Sequence, residues 1–180
     1  MATGLDFYNR RKGFNLPKGK GGAPMGVKVE HRIGVHAPAE LVWELIQEVA
    51  GWPAWNPIYP KASGVVRIGE RLTLTRALPG QPHKEIQPVV LDWTPNELLH
   101  LKRTELAGLV TVTHYWEIDK LAEENCVFSS GELYAGLLGA SAARSIRGSL
   151  KRGFIAVADA MKAHAEAAWQ ARSGAPTSGA

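Results

Sequence analysis

GASAARSIRGSLKRGFIAVADAMKAHAEAAW, residues 139–169, carries Ile146, Leu150, Phe154, Val157, Met161 and Ala165 at intervals of four, four, three, four and four. That spacing keeps one apolar stripe on one side of an α-helix. Burying about five of the larger side chains at ~1.5–3 kcal/mol each contributes on the order of 10 kcal/mol before ordering entropy is subtracted. A gain of that size requires a broad apolar partner. The segments before the helix offer one, because they alternate with period two.

The alternation begins at Val27, where Val27, Val29, Ile33 and Val35 share one face and Lys28, Glu30 and Arg32 the other. This reads as a half-buried first strand. His31 lies on its apolar side, either as a hydrogen-bonded core residue or as a ligand contact. Pro38 suits a first helical position, Glu40 favours the N-terminal dipole, and Leu41, Val42, Leu45, Ile46 and Val49 make one helical face. Gly51-Trp52-Pro53-Ala54-Trp55-Asn56-Pro57 then reads as a packed turn. Its tryptophans either wedge helix against sheet or wall a ligand entrance. Six further strands are expected at about 58–66, 70–76, 83–93, 97–105, 110–118 and 126–135, separated by Gly69, Pro79-Gly80, Pro95-Asn96, Gly108 and Glu123-Glu124-Asn125. The element order implies an α+β fold, with a curved seven-stranded antiparallel sheet wrapped round a long C-terminal helix and two short helices after strand one. A twisted sheet curling round a helix leaves room for a ligand cavity.

At 180 residues the chain suits one domain. The boundaries read as a flexible basic arm at 1–26, a ligand-binding domain at 27–170 and a flexible tail at 171–180. The net charge of +4 suggests nucleic-acid binding until it is divided along the chain. Residues 1–28 hold six basic residues against Asp6, a net +5, and the remaining 15 basic and 16 acidic residues give −1. The body therefore has no cationic bias with which to attract phosphate, and no nucleic-acid partner is expected. Gly19-Lys20-Gly21-Gly22 lacks phosphate-loop spacing. The arm reads as a solvated tail or as a docking arm for an anionic surface or a protein partner. No apolar run reaches a membrane span and no apolar stretch follows the N-terminal charges, so a cytoplasmic protein is expected. Cys126 is the sole cysteine and reads as a buried structural thiol. No histidine or cysteine pair has zinc spacing, so neither a metal nor another cofactor is expected.

Several of these segments together resemble the START-like, or SRPBCC, superfamily of helix-grip proteins, and within it the bacterial polyketide cyclase/dehydrase-type members. The resembling residues are Ala37-Pro38-Ala39-Glu40-Leu41-Val42-Trp43, Trp52-Pro53-Ala54-Trp55-Asn56-Pro57, Ile68-Gly69-Glu70, His114-Tyr115-Trp116-Glu117 and Glu132-Leu133-Tyr134-Ala135-Gly136-Leu137-Leu138. The match covers about residues 27 to 169. It implies a hydrophobic cavity between sheet and long helix, used across the superfamily for lipids, sterols, polyketides and hormones, and it leaves the arm unexplained. The chemistry of this chain does not follow from fold alone.

A cavity of that kind would be walled by Trp55, Leu74, Ile86, Arg103, His114, Trp116, Leu150, Phe154 and Val157. In 110–118, His114 shares the apolar face with Val110, Val112, Trp116 and Ile118. It is a ligand contact, a satisfied core residue or an acid–base group. In 97–105, Arg103 and Glu105 continue the row of Leu99 and Leu101. Either they face the cavity, where Arg103 holds a ligand carboxylate or enolate and Glu105 serves as base or ion-pair partner, or the strand there emerges into solvent. Three functional readings follow. The first is a binder of a small hydrophobic molecule. The second is a cyclase, dehydratase or isomerase using His114 with Arg103 or Glu105. The third is a protein-interaction module working through the arm. The sequence leaves the oligomeric state open.

Overall fold

In the computed structural model, residues 26–174 are described. Strand β1 (Gly26–Val35) is followed by helix α1 (Ala39–Gln47), a 3-10 turn and the short helix α2 (Trp52–Trp55). Strands β2 (Lys61–Ser63), β3 (Thr73–Arg76), β4 (Lys84–Ile86), β5 (Val89–Thr94), β6 (Leu98–Glu105), β7 (Val110–Ala122) and β8 (Asn125–Ala135) come next. Helices α3 (Gly139–Ser145) and α4 (Arg147–Ser173) close the described chain. The expected α+β helix-grip architecture is present, with two short helices after strand one.

The sheet is not the continuous seven-stranded one that the alternation implies. Five strands form one antiparallel sheet in the order β1-β8-β7-β6-β5, and β2-β3-β4 form a second, three-stranded sheet. The expected strand at 83–93 divides into β4 and β5 around Gln87-Pro88. Proline has no N–H for a ladder and fixes its own φ, so a strand is interrupted there. The neighbouring chain still follows the break. Leu72 N donates to the Pro88 carbonyl (3.0 Å), Val90 N donates to the Glu70 carbonyl (2.8 Å), and Arg71 bridges Val89. Period-two patterning describes side-chain faces and is insensitive to a missing donor, which is why it merges the two strands.

The expected helix at 139–169 is likewise two helices. Ile146 leaves the helical region at φ −120°, ψ 14°, separating α3 from α4. The stripe survives: Leu150, Phe154, Val157, Met161 and Ala165 are each 0% exposed. Helix α4 lies against β1 and β8 and also meets α1. Its 27 residues span ~40 Å. Ile146 sits at the break and is half-buried. Gly153 permits a close approach, since a Cβ there would come within 2.9 Å of Leu78 Cδ2.

The tryptophan turn wedges helix against sheet. Trp52 is fully buried, donates from Nε1 to the Ile46 carbonyl (2.9 Å), and meets Trp116 edge-on with centroids 4.7 Å apart. Trp55 packs on the same ring at 5.6 Å. Such aromatic contacts fix orientation beyond their burial. The expected arm at 1–26 lies outside the described residues except for Gly26, which opens β1. At the other end α4 continues to Ser173, and Arg172 pairs with Glu44 at 2.7 Å.

Candidate functional site

Three neighbouring strands carry the site. Register places Leu101, His114 and Glu132 side by side across β6, β7 and β8, and Arg103, Val112 and Tyr134 side by side one pleat further on. Paired residues share a face, and so do residues two apart. Arg103, His114, Glu132 and Tyr134 therefore all project to the helix-bearing side, and Arg76 reaches them from the end of β3.

Glu132 is the hub. Its Oε1 accepts from Arg103 Nη1 (2.9 Å), and its Oε2 accepts from Arg76 Nη2 (2.8 Å) and from the Tyr134 hydroxyl (2.7 Å). The side chains of Arg76, Arg103 and Glu132 are 9%, 6% and 1% exposed. Burial opposes the charge on Glu132, but Arg103 and Arg76 outweigh it and hold the carboxyl well below its ordinary range. Burial also opposes the charge on Arg103, and Glu132 reverses that effect. Arg103 reaches outward as well: Nε donates to Glu105 Oε1 (2.9 Å), and Glu105 Oε2 pairs with Lys84 (3.2 Å). Three cations against two carboxylates leave this group with one excess positive charge.

Two clefts open onto it. One of about 620 Å³ is lined by Lys84, Ile86, Val89, Arg103, Glu105 and Leu106 among others. A second of about 300 Å³ includes Arg76, Leu78, His83 and Ile146. Lys84 and Glu105 line both, so their ion pair stands between a cleft containing Arg103 and one containing Arg76. The Pro88 interruption explains the larger opening. Pairing of β5 with β6 ends at Val89–Lys102, so Arg103 and Glu105 pair only with β7 and their outer edge is left to the cleft.

His114 lies behind this layer. It is 1% exposed, with its ring 5.7 Å from Tyr59, 5.2 Å from Trp116 and 6.0 Å from Phe154. Burial pushes its pKa down to about 3, with Glu132 opposing and the two guanidinium groups adding to the shift. The imidazole is therefore neutral near pH 7, and its 3.9 Å approach to Glu132 is neither an ion pair nor a hydrogen bond. Both ring nitrogens lack a hydrogen-bond partner, as do Arg103 Nη2, Arg76 Nε and Trp55 Nε1. Buried polar atoms are rarely left this way, and four of these five belong to Arg76, Arg103 and His114 around Glu132.

Of the nine expected wall residues, Ile86 and Arg103 line the larger cleft. Leu74 pairs with Ile86 across β3 and β4. Trp55, His114, Trp116 and Phe154 form the ring cluster behind, and Leu150 and Val157 are buried on α4. These seven line neither of the two clefts. Glu105, the third acid–base candidate, borders both clefts, and burial working to raise its pKa is outweighed by the hydrogen bond from Arg103. Reasoning from sequence overlooked Arg76, Glu132, Tyr134 and Lys84. Glu132 had a detectable signal: it occupies the apolar row of Phe128 and Tyr134 as Arg103 occupies that of Leu99 and Leu101, and two opposite charges on facing apolar rows are natural partners. Among the described residues no three His, Cys, Asp or Glu side chains converge as metal ligands. The Cys126 thiol is buried and burial pushes it up to about 11.

The family described as polyketide cyclase / dehydrase and lipid transport matches residues 26–166. No curated protein sequence matches significantly. Among solved structures, the Zhui aromatase/cyclase from a Streptomyces species is similar at TM-score 0.65 and 19% identity, over 83% of this chain and 98% of that one. A START superfamily protein from Mycobacterium smegmatis is similar at TM-score 0.61 and 14% identity, over 78% and 98%. Norcoclaurine synthase from Thalictrum flavum, solved with dopamine and hydroxybenzaldehyde, is similar at TM-score 0.59 and 20% identity, over 77% and 86%. At these identities the likenesses establish the fold.

Proposed function

Because the chain belongs to the polyketide cyclase / dehydrase and lipid transport family, we propose that it binds a small hydrophobic molecule in the 620 Å³ cleft, with an anionic or enolic oxygen of that molecule held by Arg103. One observation carries this reading. Arg103 is a cleft residue whose Nε and Nη1 are taken by carboxylates while Nη2 is buried without a partner. A guanidinium presents several donors in a fixed fork, and an acidic oxygen that reaches past the cleft surface to the buried Nη2 would satisfy the remaining one with a charge-assisted bond. The excess positive charge of the cluster favours the same ligand end, and Ile86, Val89 and Leu106 supply apolar contact for a lipid-, polyketide- or aromatic-like body.

An enzyme of cyclase, dehydratase or isomerase type is the second reading. The 2.9 Å pairing of Arg103 with Glu105 at the cleft favours it, since a guanidinium beside a carboxylate is suited to enolate formation. The protonation states favour binding. His114 is a very weak base and lines neither cleft, and both Glu105 oxygens are engaged by cations. The interaction-module reading rests on residues 1–26, which lie outside the described residues except for Gly26.

Native mass spectrometry of protein taken from its own host, followed by denaturing extraction, tests the binding reading. The expected result is a mass increment lost on denaturation, with an extracted molecule that has an apolar body and an acidic oxygen. Bare protein mass under native conditions, or a bound molecule without an apolar body, would overturn it.

A further inference from the structure

Exposed leucines collect at one end of the fold. Leu106 (61%) and Leu109 (42%) lie in the β6–β7 turn, and Leu137 (84%) and Leu138 (39%) between β8 and α3. The two loops are joined, because Leu138 N donates to the Leu109 carbonyl (3.1 Å) and Gly136 approaches that carbonyl so closely that a Cβ would come within 2.6 Å of it. Their backbones are also largely satisfied internally, with Leu109 N on the Leu106 carbonyl (3.1 Å) and Gly139 N on the Gly136 carbonyl (3.2 Å). A tip of this kind presents side chains to an apolar layer with few open backbone donors to desolvate.

The charges that follow the tip along α3 and the start of α4 have one sign. Between Glu132 and Asp159 the sequence has no acidic residue, whereas Arg144, Arg147, Lys151 and Arg152 are exposed. Arg144, Arg147 and Lys151 form no ion pair with any described carboxylate, and Arg144 is separated from Leu138 only by the ~10 Å of α3. Glu105, the acidic neighbour of Leu106, is already held by Arg103 and Lys84. The basic N-terminal segment joins the fold here too. β1 starts at Gly26, which pairs with Ala135, and residues 1–25 carry five basic residues against Asp6, a net +4.

We infer that this end docks on an anionic bilayer surface, with the four leucines entering the acyl boundary and the arginines meeting lipid headgroups. Protruding leucines flanked by cations that no described carboxylate pairs suit a lipid interface, where apolar contact and attraction to anionic headgroups act together. An acidic protein partner is the less suitable occupant, because protein interfaces centre on aromatic anchors and this tip presents none among its described residues. Leu106 borders the larger cleft and Ile146, beside Arg147, the smaller one. Docking would therefore bring both clefts to the membrane surface. The inference concerns the tip and stands whatever the cleft binds.

Vesicle flotation with the full chain provides the test, comparing phosphatidylcholine vesicles with vesicles that also contain phosphatidylserine. Expected is binding to the anionic vesicles that weakens with salt and is at least about tenfold weaker on neutral ones. L137S/L138S, which keeps every charge, should lose most of that binding, and R144E/R147E should lose it by a comparable factor. Circular dichroism and probe binding in the cleft should be unchanged in both variants. Undiminished flotation of L137S/L138S would overturn the proposal by assigning attraction to charge alone. Failure of the wild type to float, including a case in which it binds only an acidic protein, would overturn it as well.

Discussion

Glu132 sets the geometry of the site, because both of its oxygens are engaged by guanidinium groups that come from different sheets. His114, its neighbour across β7 and β8, has the opposite status: a buried imidazole with neither nitrogen bonded. Two outcomes follow. Replacing a buried unsatisfied polar group by an apolar one of similar size removes a desolvation cost, so His114→Leu should keep or raise stability near pH 7, by up to ~1 kcal/mol in urea denaturation. The pH dependence should change as well. His114 titrates at about 3 in the native protein against an ordinary 6.5, so between those values the unfolded chain binds a proton that the native protein does not. Native stability therefore falls as pH drops from 6.5, at about 1.4 kcal/mol per pH unit for this one group. Glu132, whose carboxyl is lowered, adds its loss only below about pH 4.5. Denaturation between pH 6.5 and 4.5 should thus show a slope one proton smaller in His114→Leu. An unchanged slope would mean that His114 protonates freely in the folded state.

At the scale of elements, α4 joins sheet to helices through a stripe whose central ring is Phe154, 0% exposed and 6.0 Å from the His114 ring. Phe154→Ala should cost ~3–5 kcal/mol of stability by thermal or urea unfolding. It should also leave a cavity against the His114 ring. A loss below ~1 kcal/mol would show that α4 is not gripped at this point. The stripe was legible in the sequence because helical burial repeats at three and four residues. The break at Ile146 was not, since one turn of altered backbone leaves the spacing of apolar residues nearly intact. The division at Pro88 could have been suspected from the missing N–H, yet nothing in the sequence shows that the chain resumes pairing at Val89. That resumption creates the opening beside Arg103, so the detail least visible in the sequence is the one that makes the cleft.

For the whole molecule, the order of elements and the residues shared with the family were sufficient for the α+β helix-grip class but not for the division into a five-stranded and a three-stranded sheet. Period-two alternation placed Arg103 and His114 on apolar rows while leaving open whether the strand at Arg103 emerges into solvent. The site itself was only half legible. Arg103 and Glu105 were visible as charges ending an apolar row, whereas Arg76 joins them from a separate sheet through a contact 56 residues distant from Glu132. Local periodicity carries no information about such a meeting. The seven wall residues behind the cleft face inward, a property that core and cavity share and that alternation cannot divide. The proposal at the centre of the account is that an apolar molecule with an acidic oxygen binds beside Arg103. Calorimetric titration with naphthoate and its methyl ester tests this in the wild type, Arg103→Lys and Ile86→Trp. The account requires the wild type to bind the carboxylate at least about tenfold more tightly than the ester, Arg103→Lys to lose most of that preference, and Ile86→Trp to weaken both ligands. Equal affinity for acid and ester in the wild type, or binding untouched by Ile86→Trp, would contradict it.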